Sequence, residues 1–193
     1  MNRRLLSVLG AAALLVTACS GDEPGRDYSL PRQMCGIRTD TSDLRPLLPD
    51  GKSARYAQNQ TTDYSYHLCR MIVDDEVALK LRILRDTGFS AEAEEAAYND
   101  LKNYRPISMT GSVEVTSAGV ADDGGKVWLP CRPLPGHPQE AVPDQPYTHL
   151  VLSIQLLSDV EGKDALARRH ADIESFMRSY LPGLRKTWCV PEG

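Results

Sequence analysis

Of the five cysteines in this chain, four stand at positions 35, 69, 131 and 189, and the fifth, Cys19, closes an N-terminal segment built like a secretory signal. That segment has a charged start at Arg3 and Arg4, an apolar stretch from Leu5 to Val16, and small residues before the cut. An exported chain folds where thiols oxidise, so an even set of cysteines reads as a disulfide framework. Four cysteines allow three pairings, and sequence alone leaves all three open. Chain order favours Cys35 with Cys69 and Cys131 with Cys189, because each bridge then stays within one half of the chain. Each would close a loop of a few tens of residues, worth roughly 3 to 4 kcal/mol on the chain-entropy model. A metal site or redox pair finds little support: no Cys-x-x-Cys occurs, and the sulfurs lie far apart in sequence.

The apolar stretch before Cys19 has about a dozen residues, short of the roughly 20 that cross a hydrocarbon core. It reads as a cleaved signal. Val16-Thr17-Ala18-Cys19 resembles the bacterial lipobox, in which the Cys sulfur receives a diacylglyceryl group before cleavage on its N-terminal side. The alternative is an ordinary secretory signal in which Cys19 is incidental. Each buried methylene of an acyl chain adds about 0.8 kcal/mol, and one chain alone anchors only marginally, so dual acylation is what keeps such a protein on the membrane. The Arg3-Arg4 pair hints at twin-arginine export, but its flanks fit that signal poorly and the general secretory route is expected. The chain therefore divides into a signal peptide over 1–18, a flexible tether over 19–33 punctuated by Gly21, Pro24, Gly25 and Pro31, and an extracytoplasmic domain over 34–193. The expected location is the cell membrane, lipid-anchored on its extracytoplasmic face through Cys19.

The remaining length suffices for one good core or two small subdomains sharing an interface. The whole chain carries a formal net charge of −4, and Arg3 and Arg4 leave with the signal, so the mature chain is more acidic still. No basic cluster stands out along the sequence. Phosphate backbones need a clustered basic face, so nucleic acid is not an expected partner.

Periodicity places the elements. Thr41, Ser42 or Asp43 caps a short helix carrying Leu44, Leu47 and Leu48 and ending at Pro49-Asp50-Gly51. Residues Tyr64 to Val73 alternate, with Tyr64, Tyr66 and Leu68 on one face and Cys69, Met71 and Val73 on the other, before a tight turn at Asp74-Asp75. The return strand sets Val77, Leu79, Leu81 and Ile83 against Ala78, Lys80 and Arg82, the half-buried pattern of an antiparallel sheet. A helix capped by Ser90 and running to about Asn103 follows, with Glu92, Glu94 and Glu95 near its positive start and Ala93, Ala97, Leu101 and Tyr104 on its buried stripe. Strands over Ser112 to Val120 and Lys126 to Cys131 flank a turn at Asp122-Asp123-Gly124-Gly125. Five prolines between Arg132 and Pro146 mark an exposed loop. Leu150, Leu152, Ile154 and Leu156 form the next strand. A helix from near Gly162 carries Leu166, Ile173, Phe176, Met177, Tyr180 and Leu181, until Pro182-Gly183 ends or kinks it. The class is α+β: an antiparallel sheet with helices packed on one face.

The halves 34–106 and 107–193 share a skeleton. Leu68-Cys69-Arg70 matches Leu129-Pro130-Cys131-Arg132, each followed by an alternating strand, then Asp86 or Asp159, then a helix. Quasi-repeated hairpin-plus-helix units explain this, and so does the chance recurrence of strand, strand and helix in any small α+β domain. Cys35-Gly36, Leu44-Arg45-Pro46-Leu47-Leu48-Pro49-Asp50-Gly51, Leu129-Pro130-Cys131 and a C-terminal helix running into Cys189 together resemble a group of uncharacterised lipoproteins of actinobacteria. That resemblance implies a lipid anchor, disulfides and an envelope address, with no established catalytic residues to carry over.

No Gly-x-Ser-x-Gly elbow, His-Glu-x-x-His helix, phosphate loop or dinucleotide fingerprint occurs. His170 shares a helix side with Leu166 and Ile173 and is a candidate general base, although a boundary histidine explains it more simply. His67 and His149 lie on strands, His137 among prolines, and none has a partner at ligand spacing. Asp74-Asp75-Glu76 reads as a cation site or, more simply, a solvated hairpin tip, and Asp122-Asp123 likewise. Tyr56, Tyr64 and Tyr66 form either a binding surface or part of the core. No catalytic residue, cofactor or metal is assigned. The expected role is a non-catalytic binding module of the cell envelope that contacts an envelope protein or cell-wall component, with the loop from Arg132 to Pro146 as its contact surface. The alternative is an envelope-acting hydrolase with an unrecognised site, which demands a deep pocket with converging ionisable groups.

Overall fold

The computed structural model describes residues 25–59, 66–90, 100–111, 113–135, 140–142 and 145–191. The signal segment, Cys19, Tyr64, His137 and most of the helix expected after Ser90 lie outside them. The described chain is α+β. Seven strands form one antiparallel sheet: β3 (Ala54–Asn59), β4 (Tyr66–Val73), β5 (Glu76–Asp86), β6 (Arg105–Pro106), β7 (Ser117–Ala121), β8 (Gly124–Pro130) and β11 (His149–Leu156). Their spatial order is β3-β4-β5-β11-β8-β7-β6. A small hairpin of β1 (Gln33–Met34) and β2 (Ile37–Arg38) leads into α1 (Thr41–Leu44), and α2 (Lys163–Trp188) closes the fold.

The alternation of β4 and β5 is what the pleat demands. Cys69 opposes Leu81 and Met71 opposes Leu79, and these side chains are fully buried on the face that α2 covers. Asp74 and Asp75 join the two strands at φ +46° and +68°, the paired left-handed conformation of a two-residue hairpin that follows the strand twist. Cys35 and Gly36 do the same between β1 and β2, at φ +51° and +76°.

On its core side α2 buries Ile173, Phe176, Met177, Tyr180, Leu181, Leu184 and Trp188 against the sheet. Asp164 in its first turn and Arg185 and Lys186 in its last complement the helix dipole. The Tyr180 hydroxyl donates to the Met34 carbonyl at 2.8 Å, and the Ser175 hydroxyl donates to Asp43 at 2.9 Å, so the β1–β2 hairpin and α1 are stitched to the same helix. Burial pushes the Tyr180 phenol far above its ordinary range. The opposite sheet face carries a smaller cluster of Leu101, Ala121, Trp128 and Val151, with Leu84, Phe89 and Tyr104 packed on it. Among the described residues no helix is long and apolar enough to cross a membrane.

The topology contains two three-stranded meanders, β3-β4-β5 and β7-β8-β11, joined through their third strands. The suspected sequence repeat follows this strand order but not its register. Cys69 sits inside β4 opposite Leu81, whereas Cys131 lies just past β8, where its amide donates to the Thr148 carbonyl at 2.8 Å.

Several sequence expectations are corrected. The tether does not extend to Gln33: Asp27 N–H donates to the Gly51 carbonyl, the Tyr28 hydroxyl to the Pro49 carbonyl, and Tyr28 joins the core. The cap of α1 is Asp40, whose carboxylate accepts from Ser42 N–H at 2.9 Å, because an aspartate reaches two residues forward without disturbing the first turn. Strand β3 had no clear alternation, being an edge strand that pairs with β4 alone. Residues Asp100 to Asn103 are turns and not helix, since Lys102 N–H is claimed by the Asp123 carboxylate and Asn103 sits at φ +53°. The proline-rich loop contains a short hairpin of β9 (Glu140–Val142) and β10 (Gln145–Pro146).

Gly124 and Gly125 belong to β8 and not to the preceding turn. A Cβ on Gly124 would lie 2.1 Å from the Ile154 carbonyl, and one on Gly125 would lie 2.9 Å from Ile173 of α2. Glycine here serves close approach of strand and helix. Pro182 neither ends nor visibly shortens α2, which runs on to Trp188. The lost backbone hydrogen bond is offset by the burial of Leu184 and Trp188 and by the bond from Cys189 to Cys131.

Candidate functional site

The disulfides are Cys35–Cys69 and Cys131–Cys189. The second floors a cleft of about 540 Å³ between the end of β8, the proline-rich loop and the C-terminal end of α2. Its walls include Pro130, Arg132, Pro146, Tyr147, Arg185 and Pro191. The backbone on either side of the bridge is paired: Val190 N–H donates to the Arg132 carbonyl at 2.8 Å and Leu134 N–H to the Trp188 carbonyl at 3.1 Å. Tyr147 is buried beneath the cleft, and its hydroxyl donates to the Trp188 carbonyl at 3.3 Å. That burial raises the phenol above its ordinary range. The volume lies within the roughly 300 to 1,000 Å³ typical of ligand sites. Prolines hold φ without needing a partner for an N–H, so these walls present apolar surface and carbonyls with few donors. Arg132 and Arg185 supply positive charge at the rim.

None of the described histidines lines this cleft. His170 Nε2 meets Asp122 Oδ1 at 2.9 Å, at the β7–β8 turn. The same carboxylate accepts from the Asn103 amide at 2.7 Å, and Arg169 donates to the Asp122 and Ser158 carbonyls. This is a pin between α2, the β7–β8 turn and the 100–103 turns, with His170 as a satisfied boundary residue. His67 stacks edge-on against Trp188, with ring centroids 4.6 Å apart. His149 Nδ1 lies 2.9 Å from the Thr148 hydroxyl. Among the described residues no three His, Cys, Asp or Glu side chains gather as a metal site.

The acidic turns are occupied by the protein's own backbone. Asp74 accepts from Lys52 N–H at 3.1 Å and from Ser53 N–H at 2.9 Å, and the Ser53 and Lys52 amides hold its carboxyl below the usual range. Tyr56 is also committed: its hydroxyl accepts from Cys35 N–H at 2.9 Å, lies 3.3 Å from Cys69 Sγ, and its ring packs on the core. The side chains of Tyr64 and Tyr66 lie outside the described residues.

Asn103 first, then His170 and Arg105, hold the Asp122 carboxyl below its usual range against the opposing effect of burial. A depressed native pKa means that the unfolded chain binds the extra proton, so this stabilisation is present above an unfolded aspartate value of about 3.9 and is lost as pH falls through the native value. Asp122→Asn is therefore expected to lower stability at pH 7 by about 1 to 2 kcal/mol. Urea unfolding should show the gap to the parent narrowing at about pH 3, and a gap that does not change with pH would contradict this account.

Sequence reasoning missed a grouping of cations. On the sheet face away from α2, Arg70 of β4 lies directly opposite Lys80 of β5, Arg82 opposes Leu68, and Arg55 of β3 opposes Ile72. The four residues are scattered in sequence and meet only through strand register. The available signal was the shared parity of Lys80 and Arg82 with Arg70 across the Asp74-Asp75 hairpin. Comparison with protein-family models, curated proteins and solved structures finds no match.

Proposed function

We propose that the protein is a lipid-anchored, extracytoplasmic module of the cell envelope, of the kind its resemblance to actinobacterial lipoproteins suggests, and that it binds an envelope protein or cell-wall component in the cleft over Cys131–Cys189. The observation that carries the binding role is the cleft itself: its walls are fixed by a disulfide, prolines and paired backbone, so a partner meets a surface already ordered, which spares the entropy of arranging it. Arg132 and Arg185 bring positive charge to its walls, which favours an anionic partner, while the Tyr147 hydroxyl is committed to the Trp188 carbonyl. Two intramolecular disulfides support an oxidising compartment. The anchor rests on the Val16-Thr17-Ala18-Cys19 pattern.

The test is made in intact cells. A photo-cross-linking side chain replacing exposed Pro146 on the cleft wall should give a reproducible adduct that is absent when the same group replaces exposed Glu161, away from the cleft. Recovery of bulk lipid and abundant lipoproteins alone, or the same adduct from both positions, rejects the cleft as the site. In the same cells Cys19→Ala should abolish palmitate labelling, and label that survives places the lipid elsewhere.

A further inference from the structure

The outer face of the β3–β4–β5 half sheet carries Arg55, Arg70, Lys80 and Arg82, in a chain whose overall charge is negative. Arg70 and Lys80 are directly opposed across the strands, an arrangement that repels unless something anionic lies over it. Among the described residues none of the four makes a side-chain hydrogen bond or ion pair, and Arg70 Nε is buried without an acceptor. The neighbouring Lys126, on the same face, is different: it is bound to Asp100 at 2.7 Å. Asp100 also borders the small hollow lined by Lys80 and Arg82, together with Ser153 and Gln155. Strands stand about 4.8 Å apart, so these cations spread over about 10 Å across three strands, Arg55 and Arg82 exposed and Arg70 and Lys80 half-buried, a spread suited to an extended array of charges rather than to one enclosed ion.

The chain's own entry point decides which array is near. Gly25, the first described residue, accepts from Gly51 N–H at 2.7 Å, and Arg26 bridges to Gly51, just before β3 begins at Ala54. Six peptide steps separate Cys19 from Gly25. Even fully extended they reach only about 20 Å. A lipid on Cys19 therefore keeps the β3 edge, and the cationic strip beside it, close to the bilayer surface.

We infer that Arg55, Arg70, Lys80 and Arg82 form a phosphate-recognising strip that lays this sheet face on the anionic phospholipid headgroups of the membrane holding the anchor. The inference rests on the proposed acylation of Cys19. Lys and Arg near an anionic leaflet are attracted to it, and the attraction falls off within a Debye length, so contact is expected at low salt and lost at high salt. In that orientation α2 faces away from the lipid, because it covers the other side of the sheet.

The test uses the full acylated protein, reconstituted in vesicles of phosphatidylcholine alone or mixed with phosphatidylglycerol. A membrane-impermeant amine reagent is applied, and modification is read at each lysine by mass spectrometry. Exposed Lys163 and Lys186 on α2 are internal references for any general effect of vesicle charge on the reagent. Lys80, relative to these two, should be modified about tenfold more slowly on phosphatidylglycerol vesicles, equivalent to about 1.4 kcal/mol. The protection should vanish in high salt and in Arg70→Gln/Arg82→Gln. Equal relative modification on both vesicles overturns the inference, as does protection that survives the double substitution. Protection of Lys80 by inorganic phosphate in detergent, without any on phosphatidylglycerol vesicles, overturns it in favour of a discrete phosphate site. Failure of the anchor is seen separately, as protein recovered on neither vesicle.

Discussion

Replacing the second disulfide, as Cys131→Ala/Cys189→Ala, is expected to lower unfolding free energy by about 4 kcal/mol. The bridge spans 58 residues, and on the chain-entropy model a closed loop of that length removes about this much from the unfolded chain's freedom. Both cysteines are buried, at 4% and 2% exposure, so removing their sulfurs also forfeits packing. A domain of this size is typically stable by 5 to 15 kcal/mol, so the loss takes a quarter or more of the total. The consequence is also local, because the bridge is the floor of the cleft and ties the end of α2 to the end of β8. Urea unfolding of the oxidised proteins measures it. A loss below about 1 kcal/mol would mean that the unfolded state is already compact around this loop, and would remove the structural argument for a preformed cleft.

Phe176→Ala should cost about 3 to 5 kcal/mol, the range for truncating a buried aromatic side chain. Phe176 is fully buried between α2 and the sheet, and its ring stacks on Tyr180 with centroids 5.4 Å apart. Alanine is the better helix former, but that gain is a few tenths of a kcal/mol and does not compete with the cavity. The Tyr180 hydroxyl, held by the Met34 carbonyl, limits how far the neighbouring ring can move to fill the space. The urea midpoint should fall with little change in slope. A cost near 1 kcal/mol would show that α2 settles into the vacancy, contrary to a helix positioned by Gly125, Met34 and the terminal disulfide at once.

The strand carrying Leu79-Leu81-Ile83 was legible because one buried face imposes a period of two on the residues themselves, and Leu150-Leu152-Ile154-Leu156 shows the same period although Val151 and Ser153 on the other face are buried too. The apolar stripe of α2 was legible for the corresponding reason at helical spacing. The pairing of Cys35 with Cys69 and Cys131 with Cys189 agreed with chain order, and each bridge ties an element outside the seven-stranded sheet, the β1–β2 turn or the end of α2, to β4 or to the end of β8. The edge strand β3 was not legible, since Ala54-Arg55-Tyr56-Ala57-Gln58-Asn59 faces a neighbour on one side only and needs few apolar residues. Nor was the true place of Gly124 and Gly125: paired glycines after two aspartates look like a turn until Ile154 and Ile173 are seen pressing on them.

Local pattern thus determined the α+β class, the main hairpin, the last helix and the residues that must be inside, because each is written in the spacing of apolar side chains along a short segment. Tertiary structure alone decided the order β3-β4-β5-β11-β8-β7-β6, the cleft over Cys131–Cys189, the His170–Asp122 pin and the cationic strip. Each of those joins side chains far apart in the chain, and what joins them is strand register and helix placement, quantities that minimise the energy of the whole core and are not a property of any one stretch of sequence.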